Sequence, residues 1–268
     1  MSFADVNGAH LYFEQYGQGP DVVLLHGAGG NHLSWWQQLP VFAREFRCTV
    51  YDARGWGRST GEMGVGRFVL GTDLVALLGY LGIERAHVVA QSMGGRAVAG
   101  LTRLTPARIA SLVLCGTTAG ATNDRIRELQ DQLKRERGDG GLREFALAPA
   151  FEAGEPELSM LYRQINALNP PRPRGFLGRP PASYRGSMHT ALSGLGVPVQ
   201  FMVGEHDMIT SPEMIREAQG LISGARFHEL KGAGHSAYFE KPDEWNGVVL
   251  GFLHDVSQAA PDITVANG

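Results

Sequence analysis

The chain alternates short apolar runs with helical patterns, and this alternation is the feature that most restricts its fold. The runs DVVLLHG, RCTVYD and AHVVAQ are apolar through most of their length, as strands buried on both faces are. The intervening segments WWQQLPVFAREF and LGTDLVALLGYLG predict helices, the second with leucines along one face. We therefore predict an α/β fold, in which a mostly parallel, doubly wound sheet is flanked by helices.

The alternation is interrupted in the middle of the chain. Residues 119–194 contain two helical patterns and a Pro-rich run, but no clear strand. Strand patterns resume near Val197, and a last helix begins near Pro242, because Pro suits the first turn of a helix. The sequence thus predicts a core domain formed by residues 1–118 and 195–268, with a helical cap inserted at residues 119–194.

Composition narrows the classes of partner. Lys and Arg number 24 and Asp and Glu 27, a net charge of -3 that gives no basic surface for nucleic acid or an anionic membrane. The N-terminus lacks the pattern of a secretory signal, and no apolar run approaches the roughly 18 residues that span a bilayer. Cys48 and Cys115 lie in strand-like runs typical of buried free thiols. We expect a cytoplasmic protein that needs no cofactor or metal, and a homo-oligomer is left open.

One serine stands among small residues where the stretch VVAQSMGGRAVAG passes from a strand pattern to a helix pattern. A Ser followed two residues later by Gly is weak evidence alone, since about one such pair is expected by chance in a chain this long. Here, however, a tight turn between strand and helix raises the hydroxyl of Ser92 above the sheet edge. Ala90, Gly94 and Gly95 are small enough for such a turn. Ser92 is therefore a candidate nucleophile.

Two backbone N–H groups are candidates for an oxyanion hole beside Ser92. Met93 starts the helix pattern, so its N–H points to where negative charge would form. The loop HGAGG follows an earlier buried strand, and its Ala28 is the second donor. A dinucleotide-binding fingerprint is disfavoured here, because His32 stands where a third Gly is needed, and the chain has no G-x-x-x-x-G-K-[ST] motif.

A serine nucleophile needs a base to take its proton and an acid to orient that base. Of the nine His residues, His235 is best placed, in a Gly-flanked loop before the last helix. Asp207 follows a buried strand in FMVGEHD and is the candidate acid, with Glu205 as its rival. The three candidates follow one another along the chain in the order Ser92, Asp207, His235.

With this order, the sequence resembles the α/β-hydrolase superfamily over nearly its whole length. The resemblance implies that Ser92 attacks a carbonyl, that His235 acts as base and then as acid, and that Asp207 orients His235. It also implies that the N–H groups of Ala28 and Met93 bind the oxyanion and that the helical insertion caps the site. Five motifs carry the resemblance: HGAGG, YDARGWGRS, AQSMGG, GEHD and GAGHSAYFEKP.

Some positions differ from the family's usual residues, and others are expected to be structural rather than catalytic. The serine turn of the family usually has Gly at the position of Ala90, and Ala adds one methyl group there. Ser236 follows the candidate base, where relatives that cleave carbon–carbon bonds typically have Trp, and this lowers the expectation of that activity. Ser92 itself disfavours relatives that use an Asp nucleophile, the haloalkane dehalogenases and epoxide hydrolases. In YDARGWGRS, Asp52 and Arg54 are expected to brace loops.

The resemblance favours a carboxylic ester hydrolase, an esterase or lactonase that cleaves a small carboxylic ester or lactone through an acyl-enzyme on Ser92. Two other enzymes using the same triad are alternatives: a C–C bond hydrolase of ring-fission products, and a perhydrolase or haloperoxidase-like enzyme. A ligand receptor that retains the triad is a further alternative, from a different functional class. In each case the expected partner is a small molecule.

The cap sequence bears on the charge of the substrate. From Leu158 to Gly204 there is no Asp or Glu, whereas five Arg residues occur. Arg binds carboxylates through two parallel hydrogen bonds, so one of these five arginines could anchor an acidic substrate. The alternative is that they are solvated or packed on a neighbouring subunit, as Arg beside Pro more often is. The arginines are Arg163, Arg172, Arg174, Arg179 and Arg185.

Gly27, Trp35 and Trp36 are candidates for the substrate pocket, with at least one Trp expected in the core.

Overall fold

The computed structural model describes residues 2–62, 69–172, 176 and 188–259. Within these residues nine strands form a single sheet. The strands are β1 (Ser2–Val6), β2 (Ala9–Tyr16), β3 (Asp21–Leu25), β4 (Arg47–Tyr51), β5 (Thr60–Gly61), β6 (Ala86–Gln91), β7 (Ile109–Cys115), β8 (Val199–Gly204) and β9 (Arg226–Leu230).

Helices connect most of the strands. They are α1 (Leu39–Phe42), α2 (Val69–Tyr80), α3 (Gly94–Leu104), α4 (Asp124–Arg137), α5 (Pro149–Gly154), α6 (Pro156–Ala167), α7 (Met188–Ser193), α8 (Pro212–Gly220), α9 (Ala237–Glu240) and α10 (Pro242–Ala259). Short 3-10 turns lie at His32–Trp35, Pro106–Arg108 and Leu142–Phe145. None of these helices combines the length and apolar character that a membrane span requires.

The strand order along the sheet is β1-β2-β4-β3-β6-β7-β8-β9, with β5 paired to β2. Strand β2 is antiparallel to its partners β1, β4 and β5, whereas β4, β3, β6, β7, β8 and β9 pair in parallel. The carboxyl ends of the parallel strands therefore meet at one edge of the sheet, where α/β folds bind their ligands. The predicted mostly parallel α/β sheet is confirmed.

Helices cover both faces of the sheet, which explains why its central strands are apolar throughout. Every residue of β6 is buried. Val88 and Ala90 belong to one hydrophobic cluster together with residues of α2 and α3, and Val89 belongs to a second cluster that contains Trp245 of α10. Cys48 and Cys115 are buried and unpaired within the second cluster.

The segment WWQQLPVFAREF forms less helix than its pattern predicts. Only Leu39–Phe42 is α-helical, after a separate 3-10 turn at His32–Trp35. Pro40 lies in the first turn of α1 and has no N–H to donate, so the helix does not continue from the preceding residues.

The edge strand β1 has no counterpart in the sequence-based prediction.

The described part of the chain between β7 and β8 is rich in helix, as the sequence predicts. It contributes α4, α5, α6 and α7, and the described residues of this stretch contain no strand. The boundaries of the cap at residues 119 and 194 remain a prediction. Arg174, Arg179 and Arg185 lie outside the described residues.

Helices α2 and α3 touch through their backbones at two glycines. A Cβ atom on Gly100 would lie 2.4 Å from the Cα of Gly71, and one on Gly71 would lie 2.5 Å from the Cα of Gly100. Since α3 begins two residues after Ser92, this contact helps to fix the helix that follows the candidate nucleophile.

We predict that Gly100→Ala lowers the free energy of unfolding by about 1–3 kcal/mol, because the added methyl group forces the two helices apart. Urea unfolding followed by circular dichroism measures the change. Gly79→Ala is the matched control, since Gly79 lies in α2 with no atom within 4 Å of the added Cβ. The control should leave stability unchanged or raise it by up to about 1 kcal/mol. Equal losses in both variants would contradict the close-contact explanation.

Candidate active site

Ser92 adopts the left-handed backbone conformation, with φ at +49°. This conformation is unfavourable for a residue with a side chain, and it persists where the surrounding structure holds it. The N–H of Ser92 donates to the carbonyl oxygen of Cys115 at 2.9 Å, and its own carbonyl accepts from the N–H of Gly95 at 3.0 Å. The turn therefore directs the side chain away from the end of β6 and toward the cavity above the sheet.

Small residues around this turn are required by direct contacts. A Cβ on Gly94 would lie 2.6 Å from the carbonyl oxygen of Leu25, and one on Gly95 would lie 2.2 Å from Oγ1 of Thr117. Ala90 is fully buried inside β6, so its methyl group is accommodated in the core. The turn therefore tolerates the departure from the family's usual Gly at this position.

The structure brings Ser92, His235 and Asp207 together in one row. Nε2 of His235 lies 2.8 Å from Oγ of Ser92, and its Nδ1 lies 2.7 Å from Oδ2 of Asp207. A carboxylate only accepts hydrogen bonds, so it places the ring proton on Nδ1 and leaves Nε2 to accept from the serine hydroxyl. This is the tautomer that a general base needs.

Backbone donors orient the carboxylate of Asp207. Its Oδ1 accepts from the N–H groups of Ile209 and Thr210, each at 2.8 Å, and its Oδ2 also accepts from the hydroxyl of Thr210 at 2.9 Å. Glu205, the rival acid, contacts Lys231 and the N–H of Gly232 instead. These contacts lower the pKa of Glu205, which is not bonded to His235.

Glycines at neighbouring strand ends let the loop of His235 approach the sheet. A Cβ on Gly116 would lie 3.0 Å from Cε1 of His235, and one on Gly204 would lie 2.1 Å from the carbonyl oxygen of Gly234. The amide of Gln91 donates to the carbonyl oxygen of His235 at 3.1 Å, which ties the loop to the end of β6. The close approach to the glycines and the hydrogen bond from Gln91 therefore both hold the loop of His235 in place.

The N–H groups of Ala28 and Met93 are available to a ligand. Among the described residues, neither group donates a hydrogen bond to the protein. Ala28 lines the same cavity as Ser92, and Met93 caps α3 immediately after it. Gly27, which is also a candidate for the pocket, does not line the cavity. Its backbone packs against Gln91, since a Cβ on Gly27 would lie 1.9 Å from Oε1 of Gln91.

His26 braces the loop that carries Ala28. Its Nε2 accepts from the N–H of Ala53 at 3.0 Å, so its Nδ1 donates to the carbonyl oxygen of Gly27 at 2.8 Å. Burial lowers the pKa of His26, which favours this neutral form. His26 thus has a structural role that requires an uncharged ring.

The expected bracing by Asp52 and Arg54 is present. Oδ1 of Asp52 accepts from the N–H of His32 at 2.6 Å, and Oδ2 accepts from the N–H of Arg58 at 2.7 Å. Buried Arg54 donates to both carboxylate oxygens of Asp73, at 2.7 and 2.9 Å. Their side chains hold loops and do not line the cavity above Ser92.

A cavity of about 600 Å³ lies above Ser92 and His235. Of the two Trp candidates, neither lines it: Trp35 is fully buried against Trp245, in line with the expectation that at least one lies in the core, and Trp36 packs edge-on against Phe239 away from the cavity. Trp56 and Phe176 provide aromatic walls instead, with ring centroids 5.3 Å apart.

Helix α6 contributes polar groups that the sequence-based prediction does not include. Tyr162 and Asn166 both line the cavity, and the hydroxyl of Tyr162 lies 2.8 Å from Oγ of Ser236. Residues four apart share a helix face, so the pattern in PELSMLYRQINALN could have placed these two together. It could not have shown that this face turns toward Ser92.

Glu240 is a buried carboxylate beside the candidate base. Its Oε2 accepts from the N–H groups of Gly234 and Ala148, at 2.9 and 3.0 Å, and so joins the loop of His235 to the start of α5. Oε1 has no partner within the part of the chain that the structure describes. Burial is the main cause that raises the pKa of Glu240 to about 7.

The described residues contain no group of three His, Cys, Asp or Glu side chains that could hold a metal ion. The groups that meet in the cavity are instead a serine, an imidazole, a buried carboxylate and free backbone N–H donors. Such a set can form and hydrolyse an ester bond to the serine.

Comparisons with known proteins bear on the family and the fold of the chain. A family model described as the alpha/beta hydrolase fold matches residues 20–242. BpoC of Mycobacterium tuberculosis, provisionally named a non-heme bromoperoxidase, is 28% identical over 92% of this chain and 98% of its own. The 3-oxoadipate enol-lactonase 2 of Acinetobacter baylyi is 26% identical over 89% of this chain and 91% of its own.

A solved structure extends the likeness to the whole architecture. The thermophilic esterase of Thermogutta terrifontis, with malate bound, superposes with a TM-score of 0.77 at 25% sequence identity. The match covers 95% of this chain and 98% of the esterase. The order of elements is therefore shared nearly from end to end.

We predict that Glu240→Gln changes how stability depends on pH. The pKa of Glu240 rises from its ordinary 4.5 to about 7 on folding, so the folded state favours the protonated form. The stabilisation is present below about pH 4.5 and is lost as the pH rises to about 7, by up to about 3 kcal/mol. Glu240→Gln carries no titrating group, so its stability should lack this decline.

Urea unfolding at intervals between pH 4.5 and 8 measures the effect. The control is Glu128→Gln, the same change at an exposed position of α4. Its unfolding free energies should run parallel to those of the wild type. Parallel curves for Glu240→Gln as well would show that Glu240 does not titrate in this range.

Proposed function

The chain belongs to the alpha/beta hydrolase fold family, and on that basis we propose that it is a serine hydrolase that cleaves a small carboxylic ester or lactone. The observation that carries the proposal is the hydrogen-bonded row of Ser92, His235 and Asp207 on the floor of the cavity. Relatives named as an esterase and an enol-lactonase support this reaction class.

In the first half of the proposed reaction, Oγ of Ser92 attacks the carbonyl carbon while Nε2 of His235 takes the hydroxyl proton. The negative charge that forms on the carbonyl oxygen is stabilised by the N–H groups of Ala28 and Met93. Asp207 stabilises the imidazolium. His235 then gives the proton to the departing alkoxide oxygen, and the acyl group remains on Ser92.

In the second half, a water molecule replaces the alcohol. His235 takes a proton from the water as its oxygen attacks the acyl carbon, and the same N–H groups hold the oxyanion. When the intermediate collapses, Oγ of Ser92 leaves with the proton from His235. A carboxylic acid is released and the enzyme returns to its starting state.

Perhydrolysis is a second candidate function, which the likeness to BpoC favours. In this reaction hydrogen peroxide takes the place of water at the acyl-enzyme. The products are a peracid and free Ser92, and the peracid can then oxidise bromide to hypobromite. Both functions require the same acyl-enzyme, so they differ only in the acceptor of the acyl group.

We predict that Ser92→Ala lowers kcat for p-nitrophenyl butyrate by about three or more orders of magnitude, because the change removes the hydroxyl that His235 activates. Release of p-nitrophenolate measures the rate. Ser257→Ala, at an exposed position of α10, is the control and should retain wild-type turnover. The proposal fails if Ser92→Ala and the wild type turn over at the same rate.

We also predict that acid rather than peracid is the main product when acetate esters are supplied with hydrogen peroxide. Bromination of monochlorodimedone in the presence of bromide reports any peracid, and pH-stat titration reports acid. Bromination that matches the rate of ester consumption would favour perhydrolysis. Such a result would leave the acyl-enzyme step in place.

A further inference from the structure

The cavity above Ser92 contains a guanidinium group to which the described residues offer no acidic partner. Arg172 is half-buried and lines the cavity. One terminal nitrogen donates to the carbonyl oxygen of Gly55 at 2.9 Å, and the guanidinium lies 4.4 Å from the ring centre of Trp56. Among the described residues no carboxylate pairs with it. Its remaining N–H groups therefore retain hydrogen-bonding capacity.

The other charged groups of the cavity leave this positive charge uncompensated. Arg163 pairs with Glu152 at 2.6 Å, so these two neutralise each other. Arg143 lines the cavity as well, and within the described residues it has no acidic partner. Burial and the like charge of Arg143 lower the pKa of Arg172. An anion bound near these two guanidinium groups would offset the repulsion between their charges.

Neighbouring contacts hold Arg172 close to the oxyanion loop. Three residues earlier, Asn169 donates to the carbonyl oxygen of Gly29 and accepts from the N–H of Gly57 at 2.7 Å. Gly29 follows Ala28 directly, and both line the cavity. The contact with Trp56 and the hydrogen bond to Gly55 restrain the guanidinium, and a restrained planar group suits hydrogen bonding to the two oxygens of a carboxylate.

We propose that Arg172, assisted by Arg143, binds a free carboxylate of the substrate, so that the site takes esters or lactones that also carry a carboxylate. This inference rests on the proposed serine hydrolase function of the same cavity. The apolar walls formed by Trp56 and Phe176 accommodate the carbon chain between the carboxylate and the reacting carbonyl. Half-esters of short dicarboxylic acids have this combination of groups.

Two matched substrates test the proposal: the p-nitrophenyl monoester of glutaric acid, and the same compound with its free carboxylate methylated. The wild type should prefer the acidic substrate, and Arg172→Gln should lower the ratio of the two kcat/KM values by about 10- to 100-fold. Arg172→Lys keeps the charge but loses the planar fork, so its ratio should be intermediate. Arg125→Gln, the same loss of charge on exposed α4, should keep the wild-type ratio.

The ratio is taken within one protein sample, so partial unfolding of a variant affects both substrates equally. An unchanged ratio in Arg172→Gln overturns the carboxylate site. If Ser92→Ala still abolishes turnover of both substrates, the hydrolase proposal stands without it. In that case Arg172 serves only to hold Gly55.

A binding measurement covers the case in which the wild type cleaves neither ester, which would refute the hydrolase proposal. Calorimetric titration of Ser92→Ala with monomethyl glutarate and dimethyl glutarate reports the carboxylate site directly. The monoester should bind roughly tenfold or more tightly, and the added Arg172→Gln change should remove the difference. Equal affinities in Ser92→Ala overturn the inference.

Discussion

The left-handed turn at Ser92 is the constraint on which the rest of the site depends. Backbone hydrogen bonds to Cys115 and Gly95 hold a serine in a conformation that it would not adopt freely. The same turn brings α3 so close to β3 that a side chain at Gly94 would meet Leu25. It also makes Met93 the N-cap of α3, and among the described residues the N–H of Met93 has no partner. A single strained residue thus positions both the candidate nucleophile and one candidate oxyanion donor.

Two buried carboxylates near His235 differ in their surroundings. Asp207 accepts from two backbone N–H groups and one hydroxyl besides the imidazole, so both of its oxygens have partners. Glu240 has one oxygen with two N–H donors and one with none, and burial raises its pKa. Asp207 can therefore stabilise an imidazolium. Glu240 instead joins the loop of His235 to Ala148 at the start of α5.

Much of the site could be predicted from the sequence because parallel strands end at one edge. Ser92, Asp207 and His235 each follow a strand pattern, and a parallel sheet brings such positions together. Side chains that reach the cavity from outside the sheet were not predictable in this way. Trp35 and Trp56 look equally suitable in sequence, and only packing against Trp245 directs the first into the core. The orientation of α6 and the burial of Glu240 likewise depend on tertiary contacts.

In the proposed reaction His235 activates Ser92, which forms a covalent bond with the substrate's acyl group. A fluorophosphonate probe bonds to an activated serine, and mass spectrometry of the proteolytic peptides locates the adduct. We predict a single adduct on the peptide that contains Ser92, formed much more slowly in His235→Ala. An adduct on another residue would contradict the role of Ser92 as nucleophile, and labelling of Ser92 at the same rate in His235→Ala would contradict its activation by His235.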